Sequence, residues 1–127
     1  VHKFAVIDAA MNDLIRPALY QAWHTLLPLV DKPNAHTAEY DIVGPVCESG
    51  DFLAKARVLP ELVSGDMLAI MSAGAYAMTM ASNYNSRQKP CELLVDGSEV
   101  NLIRRREALP DLWQHESLLI ADSIVAK

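Results

Sequence analysis

Cys47 and Glu48 are neighbours in the stretch Val43-Gly44-Pro45-Val46-Cys47-Glu48-Ser49-Gly50-Asp51. The Gly-Pro pair predicts a turn, so the thiol and the carboxylate lie on a loop, where functional groups concentrate. A thiol beside a carboxylate, among small residues, can act as acid, base or nucleophile. The plain alternative is a buried structural cysteine, since free cysteine is among the most buried residue types. No histidine with a supporting pattern accompanies Cys47, which disfavours a Cys-His hydrolase. Arg16 and Tyr20 stand four apart, a spacing that places them on one helix face. An arginine fork beside a phenol suits a carboxylate or a phosphate. A surface arginine with a half-buried tyrosine is the alternative. Gly74-Ala75 before Tyr76 would let backbone approach a ligand closely, with the phenol as a polar handle. The same residues also suit a helix packed through small side chains. Ser82-Asn83-Tyr84-Asn85-Ser86-Arg87 is a polar cluster that can order a turn by side-chain to backbone bonds, or form an ordinary loop. His2, His24, His36 and His115 lack metal-ligand spacing, and no glycine-rich phosphate loop is present, so no metal is predicted.

Several short elements must position these groups. Lys3 to Ile7 reads as a buried strand. Asp8 and Asn12 are both suited to cap a helix, and Asp13 to Trp23 has the apolar spacing of a short one. Pro17 is tolerated only in a first turn, so that helix starts close before it. Thr25 to Val30 is a strand candidate, with Pro28 confining it to an edge or a bulge. Asp31 to Ala38 reads as a surface loop, Tyr40 to Val43 as a third strand, and Leu59 to Gly65 as a connection. Met67 to Met71 is a further strand, followed by a small-residue helix over Ala73 to Met80. Cys91 to Val95 and Val100 to Arg104 flank Asp96-Gly97-Ser98-Glu99, the clearest hairpin signal. Ala108 to Glu116 suits a short helix. Strands that do not alternate with long helices argue against a parallel βαβ sheet and for an antiparallel barrel or sandwich.

The sequence holds 127 residues, 51% hydrophobic and 21% charged, which fits one globular domain spanning residues 1–127. A net charge of −5 makes nucleic acid a poor partner, because phosphate-backbone affinity needs clustered Lys and Arg. The Arg104-Arg105-Arg106 run is followed at once by Glu107 and reads as a solvated end of an element. Two cysteines are too few for a disulfide framework, and without a signal-peptide pattern the cytoplasm is the default. The apolar run from Met67 to Ala81 is too short to span a bilayer, so no membrane partner is expected. An apolar run opening directly on Val1 suggests a piece of a longer protein.

Taken in order, Asn-Asp-Leu-Ile-Arg-Pro-Ala-Leu-Tyr (12–20), Gly-Pro-Val-Cys-Glu-Ser-Gly-Asp (44–51), Gly-Ala-Tyr (74–76) and Ser-Asn-Tyr-Asn-Ser-Arg (82–87) resemble the C-terminal β-domain of the diaminopimelate decarboxylases. These are a branch of the fold-type III PLP-dependent decarboxylases. The likeness runs from about Phe4 to Glu107. It implies a mainly β fold, a Greek-key-like barrel or sandwich with two or three short helices. It also implies an N-terminal (β/α)8 barrel of roughly 250 residues, absent from this chain, that holds pyridoxal 5'-phosphate through a lysine. By this resemblance Cys47 is the general acid, Glu48 binds the distal amino group, Arg16 and Tyr20 hold substrate, and Tyr76 contacts both cofactor and substrate. Cys47 and Glu48 would reach into a partner subunit, making the enzyme a homodimer with shared sites. The ornithine enzymes carry Asp after the corresponding cysteine, and Glu48-Ser49-Gly50-Asp51 here favours the diaminopimelate branch. The family often has Gly where this chain has Ala10, which excludes a freely positive φ there. The alternatives are a related decarboxylase acting on ornithine, arginine or carboxynorspermidine, and a non-catalytic regulatory homologue. A stand-alone β-barrel binding module is disfavoured by acidity and by the lack of a basic-aromatic stripe.

Overall fold

Exposure alternates along β1 (Lys3–Val6), with Lys3 and Ala5 half-buried and Phe4 and Val6 turned outward, although three of its four residues are apolar. The computed structural model describes residues 2–118. Phe4 and Val6 are 61% and 68% exposed, so β1 is an edge strand with one open face and not the buried strand the apolar run predicts. It pairs in parallel with β3 (Thr37–Val43), from Lys3 opposite Tyr40 to Val6 opposite Val43. This departs from the antiparallel expectation; the chain between the two strands is long enough for a crossover. β3 pairs antiparallel with β4 (Phe52–Pro60), giving the order β1-β3-β4.

The sequence pattern does not announce β4, although it is nine residues long. Lys55 and the buried Arg57 fall inside it, and the pairing shifts between Tyr40 and Ile42 and again before Val43. Ala56 takes a φ of 51° at the first shift, and Asp41 Oδ1 accepts its N–H at 2.7 Å. An extra residue of this kind breaks the period of two by which a strand is recognised. The bonds from Ala56 and then His2 hold the Asp41 carboxyl below its ordinary value, against the opposing effect of burial. The Arg57 guanidinium lies against the Trp23 ring, 2.8 Å from its centroid.

β2 (Leu26–Pro28) pairs antiparallel with β5 (Leu68–Ile70) in a separate two-stranded sheet. α1 (Arg16–Tyr20) is shorter than the stretch 13–23 that its spacing suggests. Pro17 occupies the first turn, as expected, and Gln21 ends the helix in the left-handed region with φ 55°. No side chain caps this helix. Asn12, a candidate cap, is instead buried and bonded to another loop. α2 (Gly74–Met80) has no fully buried residue; Ala77 packs on the core from its half-buried face. The core is Leu14, Leu26, Tyr40, Ile42, Leu53 and Leu59, with Ala54. Ile42 and Leu53 are fully enclosed, and such side chains each contribute about 1.5–3 kcal/mol on burial.

These elements belong to one compact unit, Val1–Lys89; a second is Pro90–Lys127. In the second, β6 (Glu92–Asp96) and β7 (Glu99–Arg104) form the expected hairpin. Gly97 has φ 59° at the first of the two loop positions, where a two-residue hairpin takes glycine. The helix expected over 108–116 reduces to a 3-10 turn at Leu109–Leu112. Asp111 caps that turn by accepting the Ala108 N–H at 2.7 Å, and it takes both Arg105 guanidinium nitrogens at 2.6 and 2.8 Å. Arg104 pairs with Glu92. The fold is therefore mainly β with short helices, in small sheets that do not close into a barrel among the described residues. No helix among them is long and apolar enough to cross a membrane.

Candidate active site

The loop between β3 and β4 is built around one buried carboxylate. Asp51, 4% exposed, accepts the Met11 N–H at 2.7 Å and the Val46 N–H at 2.6 Å, one on each oxygen. Its backbone closes the same loop, with Gly44 N–H donating to the Asp51 carbonyl at 3.1 Å and Asp51 N–H to the Glu48 carbonyl at 3.0 Å. A Cβ at Gly44 would sit 2.4 Å from both carboxylate oxygens, so only glycine admits this packing. The consequence is an arch with Cys47 and Glu48 at its crest. Cys47 is exposed, which removes the alternative of a buried structural cysteine.

Glu48 is oriented by three donors. Oε1 accepts the Ser49 hydroxyl at 3.2 Å and the Gly50 N–H at 3.3 Å, and Oε2 accepts the Tyr84 hydroxyl at 3.2 Å. The Gly50 N–H, then the Ser49 and Tyr84 hydroxyls, hold the Glu48 carboxyl below its ordinary value. The same bond to Glu48 raises the Tyr84 phenol. Tyr84 is the residue that the sequence singles out least. It lies in the polar cluster 82–87, but nothing local gives its partner, which is 36 residues away.

The turn carrying Tyr84 is fixed by conformation and by anchoring. Asn85 and Ser86 both take φ 56°, a tight reversal after Tyr84. Ser82 N–H donates to the Asn12 carbonyl at 3.0 Å, and Asn12 Nδ2 returns a bond to the Ser82 carbonyl at 3.2 Å. Arg87 donates to the Asp8 carbonyl at 2.6 Å and lies 3.7 Å from the Asp13 carboxylate. The segment 8–13 thus anchors both the 44–51 arch and the 82–87 turn. Ala10 within it is fully buried.

Arg16 and Tyr76 meet, with the guanidinium 4.8 Å from the ring centroid, inside the range of a cation–π contact. The ring that meets Arg16 thus comes from α2; Tyr20, on the same helix as Arg16, is 61% exposed. Nothing lies within 4 Å of a Cβ built at Gly74, so the backbone before Tyr76 is open to approach. Cys47, Glu48 and Tyr84 make one cluster; Arg16 and Tyr76 make another. A groove of about 820 Å³ runs between β1 and residues 62–70, rimmed by Phe4, Val6, Leu29, Val63 and Met67, and none of the candidate residues lines it. Its exposed apolar rim has the character of a packing face. No cluster of three potential metal ligands occurs among the described residues.

Residues 1–74 match the family described as pyridoxal-dependent decarboxylase, C-terminal sheet domain. The chain belongs to that family. The match covers Arg16, Tyr20, Cys47 and Glu48, while Tyr76 and Tyr84 lie beyond it. Relatives of this sheet domain are named diaminopimelate decarboxylases. The protein from Vibrio cholerae is 58% identical over 120 residues, which are 93% of this chain and 28% of that protein. The protein from Pseudomonas aeruginosa is 56% identical over 119 residues, again 93% and 28%. Among solved structures, diaminopimelate decarboxylase from Helicobacter pylori complexed with L-lysine has 47% identity and a TM-score of 0.82. It covers 89% of this chain and 28% of that one. The M. jannaschii enzyme in complex with L-lysine has 40% identity and a TM-score of 0.86, covering 91% and 26%. The sheet domain thus spans little more than a quarter of the length of the proteins it matches.

Proposed function

We propose that residues 1–127 are the C-terminal β-domain of a PLP-dependent carboxy-lyase that converts meso-2,6-diaminopimelate to L-lysine and CO2. The observation that carries this is the donor set: an oriented exposed carboxylate at Glu48, an exposed thiol at Cys47, and a guanidinium at Arg16 stacked on Tyr76. A carboxylate suits an ammonium, a guanidinium suits a carboxylate, and a thiol can hand over one proton. Those are the needs of a substrate with two amino acid ends. Relatives of high identity with that name, two of them holding L-lysine, support the choice of substrate.

Pyridoxal 5'-phosphate fits this chain as a partial site. The Tyr76 phenol is 55% exposed beside the open backbone at Gly74, so it can face the cofactor, while the phosphate grip and lysine belong to an N-terminal barrel. When bound, the cofactor takes up the electron pair left behind as CO2 departs. Cys47 Sγ then delivers its proton to the carbon that has lost the carboxylate. Glu48 holds the distal ammonium, and Arg16 with Tyr20 holds carboxylate. The apolar face around Phe4, Val6 and Met67 supports docking against that barrel. The exposure of Cys47 and Glu48 on their arch supports a homodimer in which each chain completes its partner's site. Two free thiols fit a cytoplasmic enzyme.

The test is CO2 release by the PLP-loaded full-length parent from meso-diaminopimelate and from ornithine. Release from diaminopimelate alone is expected, with a loss of about 10²–10⁴-fold in Cys47→Ala, the usual worth of a positioned acid. Preference for ornithine overturns the substrate, and no activity on either revives a regulatory homologue. An unchanged rate in the variant removes Cys47 as the acid.

A further inference from the structure

We infer that Tyr84 is a positioning residue that fixes the Glu48 carboxylate for the ammonium at the unreacted end of the substrate, an assignment that rests on the function proposed above. Glu48 sits on the crest of an arch, where a glutamate side chain has wide rotamer freedom. Ser49 and Gly50 take Oε1 from within the same loop. Both belong to the same turn as Glu48, so they tie Oε1 to that turn and give Oε2 no partner from outside it. Tyr84 takes Oε2 from a different part of the chain, at 3.2 Å. Its own placement is over-determined: Asn12 bonds twice to Ser82 on one side of it, and Arg87 reaches the Asp8 carbonyl on the other. The left-handed φ values of 56° at Asn85 and Ser86 complete the reversal. Non-glycine residues hold such angles only where the surroundings enforce them. Tyr84 thus supplies an external reference for one oxygen of Glu48, and the exposed carboxylate keeps lone pairs beyond these three bonds with which to accept from an ammonium.

Decarboxylation removes one carboxylate and leaves a plain aminomethyl end. The untouched end keeps its ammonium and carboxylate and becomes the α-amino acid end of lysine. Glu48 therefore meets the α-ammonium of the product. 6-Aminohexanoate is lysine without that ammonium, and it separates positioning from general damage.

The experiment measures equilibrium binding of L-lysine and 6-aminohexanoate to the PLP-loaded full-length parent and to its Tyr84→Phe variant, alongside kcat and KM for meso-diaminopimelate. Lysine is expected to bind about fivefold more weakly in the variant, the order for one exposed hydrogen bond to a charged group. Binding of 6-aminohexanoate stays unchanged, and KM rises by a similar factor while kcat stays within about twofold. In a Glu48→Ala background, Tyr84→Phe adds nothing further. Equal weakening of both ligands would reduce Tyr84 to a structural role and overturn the inference, as would no change in either. Absence of CO2 release by the unsubstituted parent overturns the decarboxylase itself, an outcome read separately from the binding pair.

Discussion

Removing the Asp51 carboxylate is the sharpest test of how the arch is held. Each of its oxygens takes one backbone N–H, from Met11 at 2.7 Å and from Val46 at 2.6 Å, in a site 4% exposed. A hydrogen bond to a charged group contributes about 1.5–3 kcal/mol net. Asp51→Asn keeps one acceptor oxygen and turns a donor toward the other N–H, so it costs about 1.5–3 kcal/mol. Asp51→Ala loses both bonds and costs about 3–6 kcal/mol, a large part of the about 5–15 kcal/mol that holds a typical domain folded. Gly44→Ala reaches the same end from the other side. Its Cβ would stand 2.4 Å from both oxygens and must push the carboxylate off its donors. Its expected cost is thus similar, and the two substitutions are not independent. The assay is equilibrium urea unfolding of the parent and four variants: Asp51→Asn, Asp51→Ala, Gly44→Ala, and Gly44→Ala with Asp51→Ala. The double variant should lie within about 0.5 kcal/mol of Asp51→Ala, since the carboxylate that Gly44→Ala offends is already gone. Full additivity of the two single costs would refute the account, because it would mean that Gly44 and Asp51 act through different contacts.

Two further outcomes follow from the geometry. Ala56 holds φ 51° at the bulge in β4, so Ala56→Gly should stabilise the protein by about 0.5–1 kcal/mol, seen as a higher urea midpoint; a lower midpoint sinks the idea that the angle is strained. Asp111 has its carboxyl lowered from 3.8 to about 2, by the Arg105 guanidinium first and the Ala108 N–H second. A folded value below the unfolded one means that this contribution is complete above the unfolded value of 3.8 and fades as pH falls through about 2. Carboxyl-carbon NMR of Arg105→Met should show Asp111 titrating markedly higher than in the parent, and an unmoved midpoint would break the assignment to Arg105.

Elements with a local cause were legible in the sequence. The β6–β7 hairpin follows from Asp-Gly-Ser-Glu, the start of α1 from Pro17, and the edge position of β2 from Pro28. Elements whose cause is tertiary were not. β4 hides because its bulge, satisfied by Asp41 from the neighbouring strand, breaks the alternation by which strands are found. The exposure of Phe4 and Val6 could not be told from burial, because an apolar run looks alike in either setting. The site divides the same way. Cys47 and Glu48 on a loop after Gly-Pro were readable as residues able to do chemistry. The contact of Arg16 with Tyr76, and the bond from Tyr84 to Glu48, join segments that no spacing rule connects.

The anchoring of both the 44–51 arch and the 82–87 turn to residues 8–13 bears on motion as well as on geometry. The bonds involved close stretches of 40, 70 and 79 residues, so two segments far apart in sequence are tied through one short stretch of chain. A displacement of the shared segment, however, carries the Glu48 carboxylate and the Tyr84 hydroxyl in the same direction. Their separation is then a difference between two positions that move together, and the common part cancels. Fluctuations of the surrounding fold should reach this pair as translation of the whole couple, leaving the aim of the carboxylate largely intact.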